Sequence, residues 1–306
     1  MSIRIVTDST ADLPPELAES LGITVVPLFV NFGDEQLRDG VDISSEQFFH
    51  RLPREARTPT TSQPSAGAFR EVYQRLAEEG ADIVSIHVSA KLSGTFASAQ
   101  QGAADLVGTE IRVLDSRSVS LALGMAAVTA AETARGGANL DEVIAAAEGQ
   151  LRRTHMFIVL DTLEYLRRGG RIGRGMEIVG TLLKVKPLAM IRDGEVVSIG
   201  RARTKMKAFE EVLRRITALR PLEQAMVVHA TTPEESSYLV DRLHGLEPTA
   251  PITDGRIGPV VGVHGGPGVI GIAVVTATTD TPADSADESG EATAAASAGG
   301  SAAPSA

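Results

Sequence analysis

Short runs of branched apolar residues recur along this chain of 306 residues, and most are followed by a stretch with helical spacing. That alternation is the signature of α/β architecture, in which each strand leads into a helix that covers a sheet. Residues 3–7 form a buried-strand run that stops at Asp8-Ser9-Thr10. Asp12-Leu13-Pro14-Pro15 then marks a helix start, with proline near the first helical position. Residues 23–31 are a second strand candidate, in which Pro27 indicates an edge or a bulge. Ser44 and Gln47 have capping-box spacing. Phe69, Val72, Tyr73 and Leu76 share one helical face. Strands are expected over 82–88 and 111–114, with a helix opening after Ser93-Gly94-Thr95 and helical patterns over 119–135 and 140–151.

A fresh strand over 156–161 places a domain boundary near 152–155. The second half reads as a helix over 163–168, a glycine-rich turn, a helix over 176–183 and a strand over 187–191. A hairpin turn at Asp193-Gly194 returns the strand over 195–199. A helix over 204–219, a strand over 225–229, a helix over 233–243 and apolar segments over 257–263 and 269–275 complete it. The expectation is an α/β chain of two domains: an N-terminal parallel-sheet domain over 1–153 and a C-terminal α/β domain over 154–276. Residues 277–306 contain no Leu, Ile, Val, Met, Phe, Tyr or Trp. Such a segment buries too little apolar surface to offset its ordering entropy, so a disordered tail is expected there.

The formal charge is −10, and the tail holds five acids and no base, which leaves the rest of the chain at −5. An acidic chain has no electrostatic grip on nucleic-acid phosphates or on an anionic membrane. The N-terminus is too poor in apolar residues for a signal peptide, and no apolar run reaches the ~18 residues of a spanning helix. A cytoplasmic protein with no stable membrane insertion is the expectation. The absence of cysteine excludes disulfides, thiolate nucleophiles and cysteine metal sites. No Gly-Lys dipeptide occurs, so there is no nucleotide-binding P-loop, and the six histidines are too scattered to suggest a metal site. Residues 266–271 read G-x-G-x-x-G, but a β-like run follows where a dinucleotide fold needs a helix.

Hydroxyls beside small residues carry the richer signal. Thr60-Thr61-Ser62-Gln63-Pro64-Ser65 precedes a helical pattern, and Ser93-Gly94-Thr95 lies between a strand and a helix. In open α/β sheets such loops form the ligand crevice, and helix N-termini there favour anions. These two loops could hold a carboxylate or phosphate without a lysine; the alternative is that Ser65, Ser93 or Thr95 simply cap helices. His264 stands in the loop His264-Gly265-Gly266-Pro267-Gly268, where glycines allow close approach of backbone to a ligand; a structural histidine is the alternative. Arg167, Arg168, Arg171 and Arg174 form one basic cluster, and Arg201, Arg203, Lys205 and Lys207 another. Each is either a solvated set of helix-end charges or a surface that recognises an anion or a partner.

Together these residues resemble the DegV family, the fatty-acid-binding proteins that serve bacterial fatty acid kinases. The resemblance runs through Val6-Thr7-Asp8-Ser9-Thr10-Ala11-Asp12-Leu13, Asp39-Gly40-Val41-Asp42-Ile43, Thr61-Ser62-Gln63-Pro64-Ser65 and Ser89-Ala90-Lys91-Leu92-Ser93-Gly94-Thr95. It continues with Leu163-Glu164-Tyr165-Leu166, Gly169-Gly170-Arg171-Ile172 and His264 with Gly266-Pro267-Gly268. It implies a two-domain DegV-type fold, no cofactor and no metal, and a palmitate-like long-chain fatty acid buried in a tunnel. It also implies that Thr61 and Ser93 hold the carboxylate, with Ser62, Gly94 and Thr95 beside them, and that His264 and Gly265 complete the polar end. Arg171 and Arg203 are implied to serve the acyl phosphate or the partner, a separate ATP-dependent fatty acid kinase.

At about 0.8 kcal/mol per buried CH₂, a long acyl chain offers on the order of 11 kcal/mol of gross binding. Association costs reduce that, and a few donors suffice to orient the head group. Phosphoryl transfer needs its own nucleotide and Mg²⁺ machinery, for which the sequence has no motif. A carrier rather than a self-sufficient enzyme is therefore expected. The competing expectation is a serine-dependent hydrolase or phosphatase using Ser93 and His264.

Overall fold

The structure, a computed structural model, describes residues 2–173 and 185–277. In the N-terminal half the order is β1 (Ser2–Asp8), α1 (Pro15–Leu21), β2 (Thr24–Val26), β3 (Phe29–Phe32), β4 (Glu35–Arg38), α2 (Ser45–Arg51) and β5 (Thr60–Ser62). It continues with α3 (Ala66–Glu78), β6 (Ala81–His87), α4 (Thr95–Ala103), β7 (Ile111–Asp115), α5 (Leu121–Arg135) and α6 (Leu140–Arg153). The C-terminal half contains β8 (Thr154–Val159), α7 (Glu164–Arg168), β9 (Lys186–Arg192), β10 (Glu195–Ala202) and α8 (Lys205–Ala218). Then come β11 (Leu222–His229), α9 (Pro233–His244), β12 (Thr253–Arg256), α10 (Pro259–Gly265) and β13 (Ile270–Thr276). The helix expected over 176–183 and the tail beyond 277 lie outside the described residues.

The first sheet is parallel throughout, in the order β2-β1-β6-β7. Its two central strands are buried on both faces, which is why they read as unbroken apolar runs. Successive residues point to opposite sides: Ile5 and Val84 pack with Leu123, Ala127 and Val143 of α5 and α6, while Val6 and Ile83 pack with Phe69 and Tyr73 of α3. The capping box at Ser44 and Gln47 forms as its spacing predicts, and Asn139 with Glu142 forms a second one at the start of α6.

Two expectations are corrected here. The single strand over 23–31 is two strands in two sheets. β2 pairs with β1, whereas β3 is the centre of a small antiparallel sheet, β4-β3-β5. Proline has no N–H for a ladder, and the chain turns away at Pro27; the next amide, Leu28, donates to the Ser9 hydroxyl at 3.0 Å instead. Thr60, Thr61 and Ser62 are likewise not a loop, because they form β5 against β3.

The second sheet has the order β10-β9-β8-β13-β11-β12 and is antiparallel except for the β11–β12 pair. The Asp193-Gly194 turn forms as expected, with φ of 50° and 81° at the two central residues, the left-handed pair a tight hairpin needs. Helices α8 and α9 cover one face, where Phe209, Val212 and Ile216 meet Val227, Ile272 and Val274. On the other side lies the largest apolar cluster, which joins Val30, Phe48 and Leu121 of the first half to Leu160, Val196, Val260 and Val269 of the second. The candidate site opens in this shared core.

Candidate functional site

A cavity with about 710 Å³ of unfilled space, its open mouth included, lies between β5, the Ser93 loop, the ends of β8 and β10, and α10. Most of its wall is aliphatic: Leu28, Val88, Leu92 and Val119 come from the first half, and Ile158, Leu160, Ile191, Val196 and Val269 from the second. Its polar groups are Thr10, Thr61, Ser93, Arg171 and His264.

Strand β5 presents Thr61 to the cavity, and the period-2 pleat turns Ser62 the other way. Ser62 Oγ accepts from Asn31 Nδ2 and Gln36 Nε2, each at 3.3 Å, and Ser62 is not part of the cavity wall. Thr61 Oγ1 lies 3.0 Å from His264 Nε2, which joins the small sheet to α10. Ser93 Oγ lies 2.8 Å from Thr95 Oγ1 and accepts from the Thr95 N–H at 3.3 Å. Thr95 is fully buried, so it supports Ser93 from behind the wall. Gly94 also stands off the cavity. A Cβ there would come within 2.4 Å of Gln63 Nε2, so its bareness accommodates the neighbouring loop. Ser65 caps α3 by accepting from the Ala68 N–H at 3.1 Å, the alternative read for it from the sequence.

Arg171 reaches the cavity while bracing two loops. Its Nε donates to the Leu92 carbonyl at 3.0 Å, and its Nη1 to the Gly169 carbonyl at 2.6 Å. Burial, and secondarily the Arg171 charge, push the His264 imidazole down to about 4, so it is neutral near pH 7. Its Nδ1 has no hydrogen-bond partner among the described residues and faces Gly169, where a Cβ would come within 2.1 Å. Arg203 is exposed at the end of β10 and is not part of the cavity wall. Its neighbour Lys205 is committed to Glu235, at 2.5 Å, and to Asp161, at 3.8 Å.

The glycines of the 264–268 loop serve the protein itself more than a ligand. At Gly266, φ is +79° and a Cβ would strike the Tyr165 ring at 2.4 Å; only glycine fits both demands. Gly265 does line the cavity, packed against Val269.

Serine hydrolysis needs a nucleophile bonded to a base that is itself oriented by an acid. Here His264 is bonded to Thr61 and Ser93 to Thr95, with no carboxylate on His264 Nδ1 among the described residues. A chain of the right types occurs elsewhere: Asp8 Oδ2 lies 3.0 Å from His87 Nδ1, and His87 Nε2 lies 2.7 Å from Ser85 Oγ. All three residues are fully buried and Ser85 is bonded onward to the Tyr73 hydroxyl, so no substrate can reach them. Among the described residues, no His, Asp and Glu group is arranged to hold a metal, and no helix is long and apolar enough to cross a membrane.

Sequence reasoning did not single out Thr10 or the aliphatic wall. Thr10 spends its hydroxyl on Asp8, and the wall residues carry the same signal as any core residue.

The fold and cavity define a class: an α/β protein with a mostly aliphatic pocket and a small hydroxyl-imidazole-guanidinium set. The sequence pattern of the family described as "uncharacterised protein, DegV family" matches residues 2–277, and the chain belongs to that family. A DegV domain-containing protein of Streptomyces coelicolor is 42% identical over 277 residues, covering 89% of this chain and 98% of its own length. The structure of a DegV family protein from Thermus thermophilus, described for its fatty-acid binding, superposes with a TM-score of 0.85 at 36% identity, over 90% of this chain and 99% of that one. DegV of Bacillus subtilis, described as a fatty acid binding protein, gives a TM-score of 0.82 at 31% identity, over 90% and 99%.

Proposed function

We propose that this chain binds a long-chain fatty acid in the cavity and presents its carboxylate to a separate ATP-dependent kinase, which converts it to an acyl phosphate. One observation carries the reading: a pocket with a mostly aliphatic wall has Thr61, Ser93, His264 and Arg171 among its few polar groups. Aliphatic wall supplies affinity for methylenes, and a few placed donors fix one polar end. The related proteins described as fatty-acid binders, from Thermus thermophilus and Bacillus subtilis, support the ligand class. The kinase step rests on the family resemblance, on the missing nucleotide motif and on the arginine among the pocket's polar groups. We read the chain as two domains meeting near 153/154, with the acyl chain held where they join.

The carboxylate faces neutral hydroxyls, a neutral imidazole and one guanidinium. That set orients the acid without smothering the oxygen that must attack a phosphoryl group. The hydrolase reading is disfavoured because Ser93 and His264 are bonded to other partners. Organic extraction of the purified protein followed by mass spectrometry tests the proposal. A C14–C20 fatty acid in near-stoichiometric amount is expected. An empty extract, together with no binding of added palmitate or oleate, would overturn it.

A further inference from the structure

Ser89 stands two residues past the end of β6 and is not part of the cavity wall, yet the turn that carries Ser93 is built around it. Its carbonyl accepts from the Leu92 N–H at 2.9 Å and from the Ser93 N–H at 3.0 Å, and both of those residues line the cavity. Its own N–H donates to the Ser118 carbonyl at 2.9 Å, next to Val119 of the same wall. Its hydroxyl accepts from the Lys91 N–H at 3.2 Å and donates to the Gly194 carbonyl at 2.8 Å. Ser89 is fully buried, and every one of its polar groups is engaged.

The bond to Gly194 crosses between the two halves of the chain. Gly194 is at the tip of the β9–β10 hairpin, and the strands on either side of it bring Ile191 and Val196 to the cavity wall. The hairpin tip packs so closely on Ser89 that a Cβ on Gly194 would come within 2.4 Å of Ser89 Oγ. The Lys91–Glu195 pair at this junction, 3.7 Å apart and partly exposed, adds little. From the other side, Arg171 Nε holds the Leu92 carbonyl at 3.0 Å. Leu92 and Ser93 are thus held through their amides by Ser89 and through the Leu92 carbonyl by Arg171. Hydrogen bonds weaken steeply with poor distance and angle, so the placement of Ser93 Oγ depends on how firmly this turn is seated.

We infer that Ser89 is a positioning residue for Ser93: its hydroxyl seats the Ser93 turn on the β9–β10 hairpin, so that Ser93 Oγ meets the carboxylate while Ile191 and Val196 of the hairpin strands meet the acyl chain. Without that hydroxyl the Lys91 amide and the Gly194 carbonyl lose their shared partner, and the turn loosens at the junction of the two halves. The consequence for the head group rests on the fatty-acid reading above; the seating of the turn does not.

The test compares the full chain with Ser89→Ala, Ser93→Ala and the double variant. The probes are myristate and 1-tetradecanol delivered from cyclodextrin; the alcohol has the same chain length and no carboxylate. Isothermal titration reads affinity, and amide hydrogen exchange at Leu92 and Ser93 reads the turn. Ser89→Ala is expected to exchange faster at both amides and to lose about five- to tenfold in myristate affinity. Its affinity for 1-tetradecanol is expected to stay within about twofold, the scatter of uncoupled changes. The double variant is expected to bind myristate no more weakly than Ser93→Ala, because both changes act on one contact. Equal losses for acid and alcohol, losses that add in the double variant, or unchanged myristate affinity in Ser89→Ala would overturn the positioning role. Ser89→Cys keeps a side chain of similar shape with only a weak donor and acceptor, and it supplies the same comparisons if Ser89→Ala fails to fold. If the unmodified chain binds neither probe, the fatty-acid reading fails, while the amide exchange still decides whether Ser89 seats the turn.

Discussion

Thr61 Oγ1 and His264 Nε2 lie 3.0 Å apart across 203 residues of chain. This contact ties a strand of the small N-terminal sheet to a helix of the C-terminal half at the polar end of the cavity. Because His264 is neutral, the pair is a hydroxyl-imidazole bond with no net charge. One of its two protons is used in that bond, so one donor remains for a carboxylate oxygen: the Thr61 hydroxyl when Nε2–H donates to it, or Nδ1–H when the hydroxyl donates to Nε2. Thr61→Val keeps the shape of the side chain and removes the hydroxyl. A hydrogen bond of this kind contributes about 1 kcal/mol, so fatty-acid affinity should fall about five- to tenfold, more if the ligand also bonds Thr61. Displacement of a fluorescent fatty acid measures it, with thermal unfolding as the control for a fold that should barely change. Unaltered affinity would show that Thr61 only braces α10.

The depressed pKa of His264 has a definite sign. Its folded value, about 4, lies below the ordinary imidazole value near 6.5. Between those values the unfolded chain binds the proton more readily, so stability rises with pH there and is fully present above about 6.5. Acidification from pH 7 toward 4 should therefore destabilise the protein partly through His264. Urea unfolding at pH 4.5 and 7 checks this by difference: His264→Gln should lose less stability on acidification than the unmodified chain. Identical pH slopes would mean that the imidazole is not held neutral by its surroundings.

The regular elements were legible in the sequence where local signals agreed. The Ser44 capping box, the Asp193-Gly194 hairpin and the central strands β1 and β6 each have a pattern that only one structure satisfies. The short polar strands were not legible. Glu35–Arg38, Thr60–Ser62 and Thr253–Arg256 are edge or near-edge strands with exposed or half-buried side chains, so no apolar alternation announces them. Their pairing is a tertiary fact. The same gap explains why Ser62 was grouped with Thr61: read as a loop, the two are equivalent, whereas a strand sends them to opposite sides. Thr61, Ser93, His264 and Arg171 were accessible through motif resemblance, but the aliphatic wall was not, because lining a cavity and filling a core demand the same residue types.

Gly169 and Gly170 offer a matched pair of substitutions. A methyl at Gly169 would overlap His264 Nδ1, at 2.1 Å, although φ there, −75°, suits any residue. At Gly170, φ is +67° and a Cβ meets nothing within 4 Å. Gly170→Ala should cost about 1–2 kcal/mol of stability through its left-handed backbone and leave ligand affinity close to normal. Gly169→Ala should displace the imidazole, shift its NMR resonances and weaken fatty-acid binding about as much as His264→Ala. Normal binding by Gly169→Ala would mean that the histidine can move without loss and is not a head-group contact.

Arg171 separates bracing from phosphate chemistry. Its Nε and Nη1 hold the carbonyls of Leu92 and Gly169, one beside Ser93 and the other in the turn that backs His264. A guanidinium has five N–H donors, so others remain for an anion in the cavity. Arg171→Lys keeps the charge but cannot span both carbonyls in the planar fork. If the residue serves mainly as a brace, Lys and Ala variants should lose fatty-acid affinity alike. If it also receives the phosphoryl group, as the proposed kinase step requires, acyl-phosphate formation with an added fatty acid kinase should fall at least about a hundredfold in Arg171→Ala, the loss expected for a transition-state charge contact. Affinity should then fall by about fivefold or less, and Arg171→Lys should recover part of the transfer rate. Measuring binding and transfer on the same preparations decides between the two. Parallel losses in both assays would confine Arg171 to holding the Ser93 and His264 walls together.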